Sequence, residues 1–358
     1  MDLRPSDCIF QIHSKLSPLI SSHAARVSKN MVVLQYYPER ITASDVELGD
    51  KIIDLLYSYS PAGNSVRRME FERLVRSCVS RRESIHLVLP AFPFKSANRT
   101  DKVLGDLPDI GEEMALALLN RICTDINKIY PGSYTTVTIV SDGLVYNDIL
   151  GVSDEDVWNY GSALRRISKE KYPCINFARL SSLINADLPE PETKEEYVSN
   201  ANRYREAIAS LGPDQDPVGG IHLEQQNVLM TYRGYIKFLA TDLKYDESRK
   251  NLSKSQIKKK NQIVAKKMIQ RGAAYSFAVK NAFPSSIRLS IHQSQSQYKL
   301  PISLLLGENN YTTPWHCACA LKPDGTWQFA HSKIFQEDPR YQLIYRNERP
   351  SFYYMTGN

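Results

Sequence analysis

The 358 residues, 42% hydrophobic and 10% aromatic, are enough for one large or two medium domains around a real core, which excludes a disordered or fibrous chain. No apolar run approaches the roughly 18 residues of a membrane span. Charged Asp2, Arg4, Asp7 and Lys15 stand where a secretory leader would be apolar, so a soluble cytoplasmic protein is expected. The net charge is +6, much of the excess lies between Lys244 and Arg271, and six cysteines without a CxxC spacing read as reduced thiols.

The run IHLVLP from Ile85 has the β-rich character of a buried strand and ends in a proline-bearing loop, FPFKSANRTDK. From Asp109 to Ile129, Met114, Ala115, Leu118, Leu119, Ile122 and Ile126 recur at helical spacing behind the acidic Asp109, Glu112 and Glu113, which suit a helix N-terminus. Thr135 to Val140 predicts a second strand, closed by the turn residues Ser141-Asp142-Gly143. Ser153 followed by Asp-Glu-Asp predicts a capped helix to about Lys171, and INFARL supplies a third strand. Strands alternating with helices predict an α/β, Rossmann-like, mostly parallel sheet flanked by helices.

Residues 190–282 read as a mostly helical insertion whose last helix is basic, with Lys254, Lys258, Lys259, Lys260, Lys266 and Lys267; a solvated face is the plain reading. IRLSIH and ISLLLG then predict strands, and HCACAL-KPDG-TWQFAH a hairpin turning at Asp324-Gly325, so that a C-terminal strand-rich part completes the site. The implied organisation is an N-terminal helical segment, 1–83, a catalytic domain, 84–331, and a tail, 332–358.

Ligands of open α/β sheets bind beyond the carboxyl ends of the strands. The loop after the first strand, with Lys95, Ser96, Asn98, Arg99 and Lys102, suits a phosphate or carboxylate, or is simply a solubilising surface loop. Asp142 and Glu113 are carboxylates near such positions, although loop and helix-start carboxylates are ordinarily local hydrogen-bond partners. In IRLSIH the period of two sets Arg288, Ser290 and His292 on the face opposite Ile287, Leu289 and Ile291. That lines up a cation, a hydroxyl and an imidazole, either for an anion and its protons or on a solvent-facing edge. His316 follows Trp315, and a His in that setting is more often packed than catalytic. Cys317 and Cys319 share one strand face with His316 on the other, which argues against a metal site. GxGxxG after a strand, GxxxxGK[ST], GxSxG and HExxH are all absent, so residue patterns alone stop at an α/β enzyme with an anion-binding site.

Longer motifs go further. HLVLPAFPFKSANRTDKVLGDLPDIGEEMALALLNRI, VTIVSDGLVYNDILGVSDEDVWNYGSAL, YSFAVKNAFPSSIRLSIHQS, KLPISLL and TTPWHCACALKPDG, in that order, resemble the motif blocks of the pyoverdine and dityrosine biosynthesis family, which includes isocyanide synthases. The resemblance implies a lyase-type isonitrile synthase of secondary metabolism with neither metal nor organic cofactor. The amino group of an L-amino acid (tyrosine, tryptophan or aliphatic) would condense with the ketone of ribulose 5-phosphate. Loss of phosphate and carbon–carbon cleavage would then leave one sugar carbon on nitrogen. The dityrosine branch implies an N-formyl amino acid instead, and a downstream tailoring enzyme is a possible partner in either case. Under this resemblance His292, Asp142, Glu113 and His316 are candidates for proton transfer, while Lys95, Ser96, Asn98, Lys102, Arg288 and Ser290 are candidates for phosphate and carboxylate binding. The competing class is an anionic-partner or nucleic-acid binder acting through the 254–271 helix, disfavoured because no aromatics interleave those lysines.

Overall fold

The structure is a computed structural model that describes residues 42–61, 68–141, 143–184, 190–211, 224–292, 296–307 and 311–356. Five strands form one parallel sheet: β1 (His86–Pro90), β2 (Thr136–Val140), β3 (Ile175–Ala178), β4 (Ile287–Ser290) and β5 (Lys299–Pro301), in the order β3-β2-β1-β4-β5. The order reverses between β1 and β4, which is where a crevice opens at the carboxyl edge of a doubly wound sheet. The helices are α1 (Ala43–Ser58), α2 (Met69–Ser80), α3 (Ile110–Ile129), α4 (Gly143–Leu150), α5 (Asp154–Lys171), α6 (Lys194–Ala209), α7 (Glu224–Asp242), α8 (Lys254–Ala282) and the short α9 (Ser332–Gln336).

The local signals act as expected. Asp109 caps α3 in a reciprocal box with Glu112, and the Ser153 side chain accepts from the Asp156 amide at the start of α5. Alternation then sorts the strands. Leu87, Leu89, Val137, Ile139, Ile287 and Leu289 pack under α1, α2 and α3, while Val88, Val140 and Ala178 face a second core closed by α4, α6 and α8. No β4 or β5 residue belongs to that second core. Arg288, in register with Val88, therefore points to the side where the helical layer stops.

Two readings change. ISLLLG is not a strand: β5 is Lys299–Pro301, and Ile302, Leu304 and Leu305 are buried in irregular backbone, so apolar character there marks core rather than sheet. Nor is 332–358 a tail. After α9, β8 (Tyr341–Arg346) and β9 (Arg349–Met355) join the predicted hairpin, β6 (Ala318–Leu321) and β7 (Trp327–Ala330), in a sheet ordered β7-β6-β9-β8. β9 pairs parallel with β6 and its Phe352 and Tyr353 are buried. Of the N-terminal helical segment, α1 and α2 are described, and residues 1–41 lie outside the described residues. The lysines Lys258, Lys259, Lys260, Lys266 and Lys267 line an exposed face of α8 opposite buried Asn261, Ala265 and Met268. No helix of the described residues is long and apolar enough to cross a membrane.

Candidate active site

The loop leaving β1 turns sharply. Phe92 adopts φ 57°, a left-handed conformation unusual for a bulky side chain, with its ring 5.0 Å from that of Trp315. Lys95 then turns inward. Its side chain is fully buried, with Nζ 2.8 Å from both Asp109 Oδ2 and Glu112 Oε2, and it donates to the Pro314 carbonyl at 3.3 Å. The Tyr160 hydroxyl donates to the other Glu112 oxygen at 3.1 Å. Burial works against the Lys95 charge, but the two carboxylates outweigh it and hold the ammonium above the usual lysine range. Burial pushes Glu112 up to about 7, with Lys95 opposing and Asp109 reinforcing. This closed network ties the loop to the start of α3 and to a short 3-10 turn, Pro314–His316.

Beyond Lys95 the loop faces the end of α7. Ser96 Oγ donates to Asp242 Oδ1 at 3.0 Å, Asn98 Nδ2 donates to the Thr241 carbonyl at 2.8 Å, and Lys102 Nζ pairs with Asp242 Oδ1. Phe238, one turn earlier on α7, lies 5.0 Å beneath Lys102 Nζ and 5.2 Å edge-on from the ring of His316. The Lys102 carbonyl accepts from the Ser332 amide, which brings His331, the residue capping α9, to the same place.

His316 stands at the centre. Burial lowers its pKa to about 4; Asp242 partly offsets this, while Lys102, His292 and His331 add to it. Its Nδ1 is buried without a hydrogen-bond partner. His292 follows the end of β4 and keeps much of its surface open to solvent, yet protein surrounds the ring elsewhere. That desolvation, and next the charge of Lys299, depress its pKa. Lys299 lies in register with Arg288 on the neighbouring strand, and burial followed by the Arg288 charge lowers it in turn. His331 is lowered by burial and Lys102. The β1–β4 crevice thus combines imidazoles kept neutral at pH 7, one lysine–carboxylate pair and two cations at the β4–β5 edge. Such a set can accept and return protons and hold an oxyanion.

The structure brings together His316, His292, Arg288, Ser290, Ser96, Asn98 and Lys102. Among these, Ser96 and Asn98 orient the end of α7, and Ser290 Oγ bonds the backbone of His292, donating to its carbonyl at 3.0 Å. Lys95 does not reach the crevice, because two carboxylates enclose it. Glu113 is elsewhere too, paired with Lys171 at 2.7 Å on the outer side of α3, and its neighbour Glu112 is the buried carboxylate. Asp142 lies outside the described residues. Cys317 and Cys319 are buried and their thiols pushed far up, and no cluster of three potential metal ligands occurs among the described residues.

Asp242, His331 and Lys299 were missed. Hairpin register was the available signal for His331: Ala318 pairs with Ala330, so the next residue lies beside Cys317 and close to His316. Asp242, at a helix end about 140 residues from Lys102, carried no local signal.

Residues 75–344 match the family described as pyoverdine/dityrosine biosynthesis protein. The chain belongs to this family. Among curated members it is similar to isocyanide synthase xanB of Aspergillus fumigatus (40% identical, covering 77% of this chain and 37% of xanB) and to the isocyanide synthase-NRPS hybrid crmA of the same fungus (37%, 83% and 19%). The chain thus spans about a fifth of crmA and just over a third of xanB. It is also similar to the L-tryptophan isonitrile synthase AmbI2 of Fischerella ambigua, at 33% identity over 79% of this chain and 81% of AmbI2. In three dimensions this family member resembles the crystal structure of PvcA from Pseudomonas aeruginosa, with a TM-score of 0.69 and 25% identity over 86% of this chain and 99% of PvcA.

Proposed function

We propose that this chain is an isocyanide synthase that uses the amino group of an L-amino acid and takes one carbon from ribulose 5-phosphate. The observation that carries the reading is the β1–β4 crevice, where His316 and His331, their pKa values lowered, adjoin Lys102–Asp242, and His292 lies between His316 and the cations Lys299 and Arg288. Condensation of an amine with a ketone needs a base to free the ammonium and an acid to carry off the hydroxyl as water. His316, neutral at pH 7 with an unpartnered Nδ1, is the candidate for the first task, and the Lys102–Asp242 pair beside it the candidate for the second. The carboxylate of an α-amino acid is one carbon from the reacting nitrogen, so it lies in the crevice as well, where Arg288 and Lys299 supply positive charge. His292 serves the later proton transfers that accompany phosphate loss and carbon–carbon cleavage.

The test is incubation of purified protein with ribulose 5-phosphate and, separately, tyrosine, tryptophan, leucine and the remaining amino acids, followed by mass and infrared spectra of the products. An isocyanide band on a product retaining the amino-acid skeleton is expected. A product heavier by one water and lacking the band would assign the formamide, and failure of every amino acid to consume the sugar phosphate would remove the reading.

A further inference from the structure

A second cationic site lies on the same edge of the sheet, at the carboxyl ends of β2 and β3. A cleft there is lined by Ser141, Arg179, Arg165 and Trp158 of α5, and Tyr197 of α6. We infer that this cleft is a phosphate-monoester subsite in which the Arg165 guanidinium is the principal ligand, with Arg179 and the Tyr197 hydroxyl beside it.

Among the described residues no carboxylate pairs with the Arg165 guanidinium, and the cleft carries more positive charge than the rim carboxylate Glu190 offsets. Arg165 stacks on Phe177 with its guanidinium carbon 5.3 Å from the ring centre, but makes no hydrogen bond or ion pair among the described residues. Burial, and then the like charge of Arg179, hold it down at about 10. Arg179 is fixed over Trp158 at 4.4 Å and donates to the Pro191 carbonyl, and Glu190 on the rim is 3.8 Å from it. Asp154, the carboxylate acting on Tyr197, is taken by Arg205. The Tyr197 hydroxyl also makes no hydrogen bond among the described residues. Two adjacent guanidiniums and a free phenol in a partly desolvated cleft are strongly stabilised by a shared oxyanion. Gly161 makes the room, because a Cβ there would meet Arg165 Nη1 at 2.9 Å.

Position decides between the two anionic groups of the proposed substrates, and in this respect the inference rests on the proposed reaction. From the β2–β3 groove to the β1–β4 crevice is two strand spacings, about 10 Å. The amino-acid carboxylate adjoins the reacting nitrogen and cannot lie that far off, whereas the phosphate stands at the far end of the pentulose chain.

The test is calorimetric titration of the full chain with inorganic phosphate, ribulose 5-phosphate and L-tryptophan, in wild type, Arg165→Gln and Gly161→Ala. Alanine is the better helix former at an interior position, so Gly161→Ala keeps the fold and only displaces the guanidinium. Expected are at least tenfold weaker binding of phosphate and of ribulose 5-phosphate in both variants, unchanged binding of the amino acid, and partial rescue by Arg165→Lys. Unchanged phosphate affinity in a folded variant, no phosphate binding by wild type, or a loss confined to the amino acid would overturn the subsite. If wild type forms no isocyanide yet loses phosphate binding with Arg165, the proposed reaction fails and the subsite stands.

Discussion

Lys95 and Lys102 leave the same loop seven residues apart and do opposite work. Lys95 is enclosed by Asp109 and Glu112 with no surface left, whereas Lys102, also buried, lies over Phe238 with one carboxylate, Asp242, and has His316 and His331 beside it. Two like residues in one cationic segment thus divide into a structural clamp and a candidate reactive pair. What separates them is the number of carboxylates that tertiary structure delivers to each ammonium. A buried charge held by two carboxylates is rigid and costly to disturb, and one held by a single carboxylate beside neutral imidazoles has neighbours with which to exchange a proton.

The sharpest break of this comparison is Lys95→Met. It strands Asp109 and Glu112 without their cation, and a loss of about 3–5 kcal/mol is expected by urea unfolding. His316→Gln is the opposite case. Stability at pH 7 stays within about 1 kcal/mol, while the isocyanide-forming rate falls by roughly 10²–10⁴ if the ring is the base. A variant that keeps its rate assigns His316 to packing.

The two regions also differ in pH response. The folded pKa of His316, about 4, lies below its ordinary 6.5. Between those values the unfolded chain binds the extra proton, so stability attached to this ring falls as pH drops from 6.5 toward 4. Wild type should therefore lose stability relative to His316→Gln across that window, and the acid limb of kcat/KM should lie below pH 6. The smallest effect belongs to Glu113→Gln. Its partner Lys171 is half-exposed, so less than about 1 kcal/mol and no change in rate are expected.

Local chemistry made much of the framework readable. Asp109 and Ser153 cap α3 and α5 because a side-chain oxygen before an apolar-periodic run satisfies the first amides wherever the helix ends up. Strand alternation in IRLSIH put Ile287 and Leu289 in the core and Arg288 and Ser290 opposite, since a pleated strand has no other way to present them. The β8–β9 hairpin escaped because its turn is Asn347-Glu348, with φ of 48° and 60°, and glutamate does not advertise a left-handed turn as glycine does.

By itself, then, the sequence determined the α/β order, the parallel sheet and the loop and strand that border the crevice, all of which follow from interactions within a few residues. Only the tertiary structure decided which cation serves which purpose. Asp242 reaches Lys102 from the end of α7, His331 arrives through the second sheet, and Arg165 meets Arg179 across a groove. A buried ammonium is set by whatever carboxylates surround it, and those come from distant parts of the chain.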